Sequence, residues 1–482
     1  MNLSARLPAL QPMDLGIPGP TGPDMARAFR SIRADPLTFL AEVTEQYGDS
    51  VAFPVPGSPA LLLNDPADVR RVLQTGARHW SKRTVQYAAL ARLTGPGLLA
   101  SAEPDWIEHR RIAAHAFHHQ RLAAVSGQVR AAVDDAIDAD LAAPGRAPGA
   151  AVDLAALTHR IALDVVGRAL FSADLSGHAQ ALLEATSEAA QLVVRLGRSV
   201  LPTAEWAPTP TTLRLRAARR RLDAITADLI AQRRARLALT GAARAAAGVV
   251  NSTDRAAGAD QSSDDDLLGL MLDSGLPDAA IRNELITMVI AGHETVAAAL
   301  AWTMMLLAEN PDVQDRARAE VAAHPGPIGL TGHRGHLDLT RAVVDEGLRL
   351  FPPAWVISRR TGAPDVLAGH PVPAGTLVII SPWLLHRRPA SWSDPLTFDP
   401  NRFLGDPSGR REGYLPFGQG PRLCIGREFA LGEMVVILAR LLADWRLELP
   451  PGWVRPATDT QLAVHPRGGM PLLVRPVAEP LR

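Results

Sequence analysis

Cysteine is almost missing from this chain, whose 482 residues include only Cys424. A single cysteine excludes an internal disulfide, so the sequence favours a protein of a reducing compartment such as the cytosol. Neither sign of charge is in excess, because 50 basic residues balance 50 acidic ones. This balance argues against nucleic-acid binding, which usually requires a strongly basic domain.

Long apolar runs are scarce, and the N-terminal segment has none. Residues 1–25 lack a continuous apolar stretch flanked by positive charge, so we expect neither a signal peptide nor a membrane anchor. Prolines and glycines there predict an extended lead-in over residues 1–34. One run, residues 285–308, is long enough to span a bilayer. His293 and Glu294 lie in its middle, where ionisable groups are costly in lipid, so a long buried helix is favoured.

The periodicity of apolar residues predicts a mainly α-helical fold with a smaller β portion near both ends. Helical spacing runs from about residue 65 to residue 239, and the sequence contains no internal repeat. Residues 240–266 are rich in small and acidic side chains and predict a mobile surface loop. Strands are predicted as a hairpin in residues 50–65, over residues 366–381, and around Leu447 and Leu472.

The single cysteine lies in a glycine-rich segment, "GYLPFGQGPRLCIGRE", residues 413–428. Glycines allow a backbone to approach a flat ligand closely or to adopt positive φ. Apolar spacing after Gly426 predicts a helix to Trp445, whose positive end would stabilise a thiolate, the form that ligates metal. The alternative is a buried free thiol that acts as a small hydrophobe. The surrounding residues favour an anionic ligand.

A second segment, "TRAVVDEGLRLFPP", predicts a helix that Thr340 caps and that ends before Pro352. Glu346 and Arg349 are three positions apart and therefore share one face of this helix. On their own they could form an ordinary ion pair.

A third segment, "AGHET", lies inside the long apolar run. Glycine in a helix costs about 1 kcal/mol relative to alanine, so Gly292 indicates that a ligand or a backbone approaches that face. The hydroxyl of Thr295 can donate to the carbonyl of Ala291 and distort the turn.

A fourth segment, "DWIEHRRIAAHAFHHQR", places Trp106 and Arg110 one helical turn apart. The same segment allows a different interpretation, because His115, His118 and His119 have a spacing that could hold zinc. No carboxylate or cysteine is placed nearby to complete such a site, so a polar, basic helix face is favoured.

Together these segments resemble the cytochrome P450 monooxygenases, and the motifs occur in the order typical of that family. The family's haem-binding loop Phe-x-x-Gly-x-Arg-x-Cys-x-Gly is matched by Phe417, Gly420, Arg422, Cys424 and Gly426. Its Glu-x-x-Arg pair with a third charged partner is matched by Glu346, Arg349 and Arg402. Residues 291–295 match its oxygen-activation motif, and Trp106 with Arg110 matches its propionate-binding pair.

The resemblance implies the cytochrome P450 fold, a single domain over residues 1–482 consisting of a large helical part and a small β-rich region. It implies haem b with Cys424 as the thiolate ligand of the iron and with Glu294 and Thr295 as the catalytic residues that pass protons. Thiolate ligation favours cleavage of the oxygen–oxygen bond. The residues implied to contact the cofactor are Phe417, Gly418, Arg422, Gly426, Trp106, Arg110, Ala291 and either Arg359 or Arg360.

The resemblance also implies the source of electrons and the oxidant. The chain ends at Arg482, too close to Cys424 for a fused flavin reductase, so we expect electrons from NAD(P)H through a separate ferredoxin and ferredoxin reductase. The Glu294–Thr295 pair favours dioxygen over peroxide as the oxidant. The alternatives are a haem-thiolate isomerase or dehydratase and a haem sensor or carrier.

A hydrophobic substrate is expected, with a terpenoid or similar secondary metabolite favoured. By family resemblance its pocket would be lined by the segment after Lys82, the segment near Trp206, residues 354–357 and residues 460–462. The apolar side chains in these segments include Leu90, Leu93, Trp355, Val356 and Leu462.

Overall fold

Helices make up most of the chain, as the apolar periodicity predicts. The computed structural model describes residues 14–55, 59–142, 150–173, 175, 179–197, 207–246, 266–324, 326–333, 335–405 and 412–477. Its α-helices are α1 (Gly22–Ala34), α2 (Pro36–Tyr47), α3 (Pro66–Arg70), α4 (Val85–Thr94), α5 (Asp105–Ala114), α6 (His119–Asp140), α7 (Leu154–Phe171), α8 (Ala179–Gly197), α9 (Pro210–Ala246), α10 (Leu267–Asp273), α11 (Asp278–Glu309), α12 (Pro311–Ala323), α13 (Asp338–Leu350), α14 (Pro382–Leu385) and α15 (Arg427–Asp444).

The strands of the described residues are short and belong to four small sheets. They are β1 (Ser50–Phe53), β2 (Ala60–Leu63), β3 (Trp80–Ser81), β4 (Ala151–Asp153), β5 (Ile357–Thr361), β6 (Asp365–Leu367), β7 (His370–Val372), β8 (Leu377–Ile380), β9 (Trp445–Glu448), β10 (Thr458–Thr460), β11 (Val464–Pro466) and β12 (Pro471–Pro476). The sheets have the orders β1-β2-β8-β5-β3, β4-β12-β9, β6-β7 and β10-β11. The predicted hairpin is confirmed, since β1 pairs with β2 in antiparallel register, with Ser50 opposite Leu63.

The chain divides into two compact units. The first unit comprises Met1–Ala89, Asp345–Cys424 and Ala457–Arg467, and it contains the five-stranded sheet. The second unit comprises Leu90–Val344, Ile425–Pro456 and Gly468–Arg482, and it contains most of the long helices. The assignment of residues 1–482 to a single domain stays a prediction.

Helix α11 forms the centre of the second unit. It is long and apolar enough to cross a bilayer, but 83% of its most apolar stretch is buried inside protein, which identifies it as a core helix. Helix α7 packs along it, and the Thr158 hydroxyl donates to the Ala297 carbonyl at 3.1 Å. A Cβ on Gly292 would lie 2.7 Å from Cγ2 of Val166. Gly292 is therefore explained by the close approach of an α7 side chain; we had expected a ligand or a backbone there.

The prediction of an extended lead-in is wrong for residues 22–34, which form α1. Thr21 is its N-cap: the Asp24 backbone N–H donates to the Thr21 hydroxyl, and the Asp24 carboxylate accepts from the Thr21 N–H. Such a capping box satisfies donors that the first helical turn leaves free. Pro23, which suggests extended chain, is tolerated in this first turn because it lacks only an N–H that the helix does not use.

Two other predictions need correction. The mobile loop expected over residues 240–266 is wrong for residues 240–246, which continue α9 because they are rich in alanine, a strong helix former; residues 247–265 lie outside the described residues. Thr340 is not a cap, since α13 begins at Asp338. The N–H and hydroxyl of Thr340 both donate to the Glu320 carboxylate at 2.7 Å. The prediction that this helix ends before Pro352 is confirmed, since α13 ends at Leu350.

Candidate active site

Cys424 lies in a loop whose path depends on glycine. Gly418 and Gly420 have φ of +71° and +74°, and a Cβ on Gly420 would lie 1.9 Å from the Leu73 carbonyl oxygen. The Cys424 backbone N–H donates to the Phe417 carbonyl at 3.0 Å, which closes the loop. The thiol side chain is exposed, so the interpretation of Cys424 as a buried hydrophobe is wrong. The loop presents the sulfur to a ligand.

The helix predicted after the cysteine is confirmed as α15. It begins at Arg427, and Gly426 is its N-cap without a side-chain hydrogen bond to the first turn. When no side chain caps the first turn of a helix, the backbone N–H groups of that turn favour a negative charge nearby. The helix start three residues after Cys424 is therefore of the kind that suits an anionic ligand.

Two buried cations of the first unit lie next to one tyrosine. Arg359 is 5% exposed on β5, and its Nη1 donates to the Tyr87 hydroxyl at 3.4 Å. Lys82 is 9% exposed, and its ammonium lies 4.7 Å from the centroid of the Tyr87 ring. Arg360 points to the other face of the strand, where it donates to the Gly375 carbonyl at 3.0 Å. Buried cations suit an anionic ligand group such as a carboxylate.

Glu346 and Arg349 form a buried ion pair on α13. Their side chains are fully buried, and Nε and Nη2 of Arg349 donate to the two carboxylate oxygens of Glu346 at 2.7 and 2.8 Å. Arg349 also donates to the carbonyls of His386, Pro395 and Thr397 at 2.8, 2.7 and 3.1 Å. These bonds use all five N–H groups of the guanidinium and tie α13 to the segment that follows α14.

Arg402 lies at the edge of this pair. Its Nε is 3.4 Å from the Glu346 carboxylate, and its side chain is 9% exposed. Its Nη atoms donate to the Ser393 hydroxyl and the Asp394 carbonyl at 3.1 and 3.0 Å. The backbone N–H of Asp399 donates to the same Glu346 oxygen at 2.9 Å. The structure therefore brings Glu346, Arg349 and Arg402 into one charge cluster.

His386 links this cluster to the start of the cysteine loop. Its Nδ1–H donates to the Arg349 carbonyl at 3.1 Å, and its Nε2 accepts from the Leu415 N–H at 2.8 Å. Burial lowers the pKa of His386 to about 3, so the imidazole is neutral and supplies one donor and one acceptor. Sequence reasoning missed His386, because both partners are backbone groups and one is 29 residues away.

In the second unit, α5 carries Trp106 and Arg110. Trp106 is 7% exposed, and Cζ of Arg110 lies 5.5 Å from the centroid of its ring. His109, next to Arg110, contacts the buried Glu284 of α11 at 2.6 Å, and this hydrogen bond raises the pKa of His109. Glu284 also accepts from the Leu98 N–H at 3.1 Å. A buried hydrogen-bonded pair, which the sequence did not reveal, thus fixes α5 on α11.

The "AGHET" segment opens one face of α11. Between residues 284 and 308, only Ala291, Gly292 and Thr295 are partly exposed, and they lie on one side of the helix. The Thr295 hydroxyl donates to the Ala291 carbonyl at 2.7 Å, as its position predicts. Glu294 is 5% exposed. A small-residue face with one hydroxyl and a neighbouring carboxyl is suited to a flat ligand and to proton transfer.

The zinc alternative gains no support from the described residues. His115, His118 and His119 are all exposed, and Nδ1 of His115 lies 2.9 Å from the Arg111 carbonyl within the last turn of α5. No group of three ligand atoms that includes these histidines comes together in the part of the chain that the structure describes.

The residues expected to contact substrate are partly accessible. Trp355, Val356 and Leu462 of the first unit are half-buried, and the Trp355 indole N–H donates to the Gln461 carbonyl at 3.0 Å. Leu90 and Leu93 are buried in the second unit. Trp206 lies outside the described residues.

Each unit, taken by itself, carries residues that fit a haem. In the first unit an exposed thiol follows a glycine-shaped loop, and Lys82 and Arg359 are buried cations suited to propionates. In the second unit the otherwise buried α11 exposes a face of small residues. The sequence offered one signal for Lys82, which is the only lysine in the chain.

Comparison with known proteins agrees with this geometry. The family model of cytochrome P450 matches residues 19–473. Cyclooctat-9-en-7-ol 5-monooxygenase of Streptomyces melanosporofaciens is 33% identical over 86% of this chain and 86% of its own length. Pentalenene oxygenase of Streptomyces avermitilis is 30% identical over 92% and 94%. The crystal structure of CYP175A1 from Thermus thermophilus has a TM-score of 0.74 at 28% identity and covers 95% of this chain and 100% of that one.

The chain belongs to the cytochrome P450 family. The predicted fold class and the prediction of an oxidoreductase of the monooxygenase type are confirmed. Membership implies a haem cofactor and electron supply by a redox partner. Haem held by a thiolate supplies the chemistry that cleaves the bond of dioxygen.

Proposed function

We propose that the protein inserts one oxygen atom of dioxygen into a terpenoid or a similar hydrophobic secondary metabolite. The observation that carries the proposal is the exposed thiol of Cys424 at the start of α15, in a loop that only glycines can form. Two relatives that cover most of the chain are named as oxygenases of cyclooctat-9-en-7-ol and pentalenene. In this proposal, electrons come from NAD(P)H through a ferredoxin and its reductase, in the cytoplasm.

Residues of the first unit would hold the cofactor from the cysteine side. Cys424 would be the iron ligand, and Phe417 would shield the sulfur. Gly418 gives the loop its turn, and Arg422 with the buried Arg359 would bind propionates through charge-assisted hydrogen bonds. Lys82, which like Arg359 contacts Tyr87, would add a second buried positive charge to these residues.

Residues of the second unit would supply the remaining contacts and the protons. Trp106 and Arg110 would bind a propionate, with the Arg110 guanidinium held over the indole. Ala291, a small and partly exposed residue of α11, and Gly426 would contact the flat cofactor. Glu294 would hold a proton on its carboxyl group, and the Thr295 hydroxyl would pass it on toward dioxygen.

The substrate class is tested by spectral titration of the purified haem protein with a hydrophobic panel. We expect pentalenene and cyclooctat-9-en-7-ol to shift the Soret band to shorter wavelength, because an apolar guest expels water from the haem pocket. A linear fatty acid of similar carbon number is the control. A response to the fatty acid together with none to either terpenoid would overturn the terpenoid assignment.

Thr295→Ala is expected to fold, bind haem and oxidise NAD(P)H at the parent rate while product per NAD(P)H falls by about fivefold or more. The reason is the loss of the hydroxyl that directs protons, so electrons leave as hydrogen peroxide. Thr295→Ser keeps a hydroxyl and is the matched control. Equal coupling in the alanine variant and the parent would mean that Thr295 only donates to the Ala291 carbonyl.

Five basic residues of the second unit come from α5, from the turn between α5 and α6, from α6 and from the first residue of α15, and all are exposed or partly exposed. They are Arg111, His115, His118, Arg121 and Arg427. Such a patch would attract an acidic ferredoxin, and charges at the rim of an interface act mainly on the association rate. Arg111→Glu is therefore expected to slow reduction by ferredoxin at low salt by about tenfold.

The control for this prediction is Arg220→Glu, an exposed position on α9. The difference between the two variants should disappear at high ionic strength, where surface charges are screened. Reduction rates that respond neither to salt nor to Arg111→Glu would exclude this surface as the ferredoxin site.

A further inference from the structure

A polar cluster interrupts the contact between α7 and α11. A ring nitrogen of His159, on α7, lies within 4.8 Å of a carboxylate oxygen of Glu294, on α11. The rings of His159 and His293 meet edge to face, with centroids 5.5 Å apart. Nε2 of His293 is 3.8 Å from Oε1 of Glu294. Three titratable side chains therefore share one place in a largely apolar helix pair.

The position of His159 is fixed by contacts on both sides of it. The preceding residue, Thr158, donates its hydroxyl to the Ala297 carbonyl of α11. Further along α7, Val166 fits against Gly292, the residue two positions before Glu294. These contacts set the register of the two helices, so the approach of His159 to Glu294 follows from the packing of the fold.

Of the two histidines, only His159 can exchange protons with solvent. His293 is 1% exposed, and its Nδ1–H donates to the Val289 carbonyl at 2.8 Å. His159 is half-buried, and the next residue, Arg160, is exposed. Imidazole is also the side chain whose unperturbed pKa lies nearest to neutral pH, so it gains and loses protons readily.

Monooxygenation consumes two protons per product, because a substrate R–H, dioxygen, two electrons and two protons give R–OH and water. A buried carboxyl group that donates a proton must be recharged before it can donate again. We infer that His159 recharges Glu294. The N–H proton of the His159 imidazolium passes to the carboxylate oxygen, and His159 then takes a proton from solvent. One water molecule with two ordinary hydrogen bonds would span a gap of up to 4.8 Å.

This inference rests on the proposed function of Glu294, and His159 acts through Glu294 as a positioning residue. The first measurement is product per NAD(P)H for His159→Ala, with pentalenene as the probe substrate and ferredoxin with its reductase as electron donors. We expect a fall of about threefold to tenfold and a larger solvent deuterium isotope effect, because water replaces a positioned proton donor only in part. His159→Gln serves if the alanine variant folds poorly.

The second measurement separates His159 from Glu294. If His159 acts through Glu294, then His159→Ala has no further effect on coupling in a Glu294→Gln background. Parental coupling in Glu294→Gln would overturn both the role of Glu294 and this inference. Reduced coupling in Glu294→Gln together with parental coupling in His159→Ala would overturn the inference alone.

A third measurement does not depend on turnover. The infrared carboxyl band of Glu294, identified by its loss in Glu294→Gln, is expected to shift in His159→Ala and to stay in place in Arg160→Ala. Arg160 is the matched control, since it follows His159 on α7 but pairs at the surface with Asp140. A band that is unchanged in His159→Ala would show that the two groups do not interact, and would overturn the inference.

Discussion

Arg349→Ala is expected to lower the midpoint of thermal unfolding and to give a protein that does not retain haem. The substitution leaves the fully buried Glu346 carboxylate without its main partner and leaves three backbone carbonyls without their donor. Breaking a buried pair in this way costs about 3–5 kcal/mol, a large share of the 5–15 kcal/mol that stabilises a typical domain. Glu346→Ala should have the same effect, because Arg349 is then the unpaired buried charge.

The measurements are haem content per protein and the midpoint of thermal unfolding. Arg475→Ala is the control, since Arg475 pairs with Glu448 at the surface, where an ion pair contributes about 0–1 kcal/mol. We expect the control to unfold like the parent. Full haem content and an unchanged midpoint in Arg349→Ala would contradict a structural role for this cluster.

Features encoded by a few adjacent residues were predictable from the sequence. The helix after Cys424 follows from apolar spacing, and the β1–β2 hairpin follows from its strand and turn residues. Glu346 and Arg349 are on one helical face because they are three positions apart. In each case the information lies within one turn or one hairpin.

Predictions from local sequence patterns were wrong where the same residues were compatible with two structures. Prolines and glycines before residue 25 suggested extended chain, but the capping box of Thr21 and Asp24 begins α1 there. Thr340 has the chemistry of an N-cap, yet α13 begins at Asp338 and Thr340 donates to Glu320 on the preceding helix. The deciding contact with Glu320 is 20 residues away in sequence, so no local pattern contained it.

Contacts between residues far apart in sequence also limit what could be predicted of the site. His386 was missed because its neutral state depends on burial and on backbone partners from two other segments. The link between His109 and Glu284 spans 175 residues. Short sequence motifs identify the residues that carry the chemistry. The residues that hold those residues in position are determined by tertiary packing.

The second large effect is expected at Cys424. Because Cys424 is the only cysteine, any thiolate bound to the iron must come from it. Cys424→Ala removes the sulfur and leaves a smaller side chain in its place. We expect complete loss of oxygenase activity. Cys424→His, which offers a neutral nitrogen ligand, should bind haem without restoring activity, because histidine does not push electron density to the iron as thiolate does.

The most direct test of the account is the absorption spectrum of the reduced carbonyl complex, recorded for the parent protein, Cys424→Ala and Cys424→His. We predict that the parent shows the strongly red-shifted Soret band of thiolate ligation and that both variants lose it. A parent protein without that band, or a red-shifted band that persists in Cys424→Ala, would contradict the assignment of Cys424 as the haem ligand.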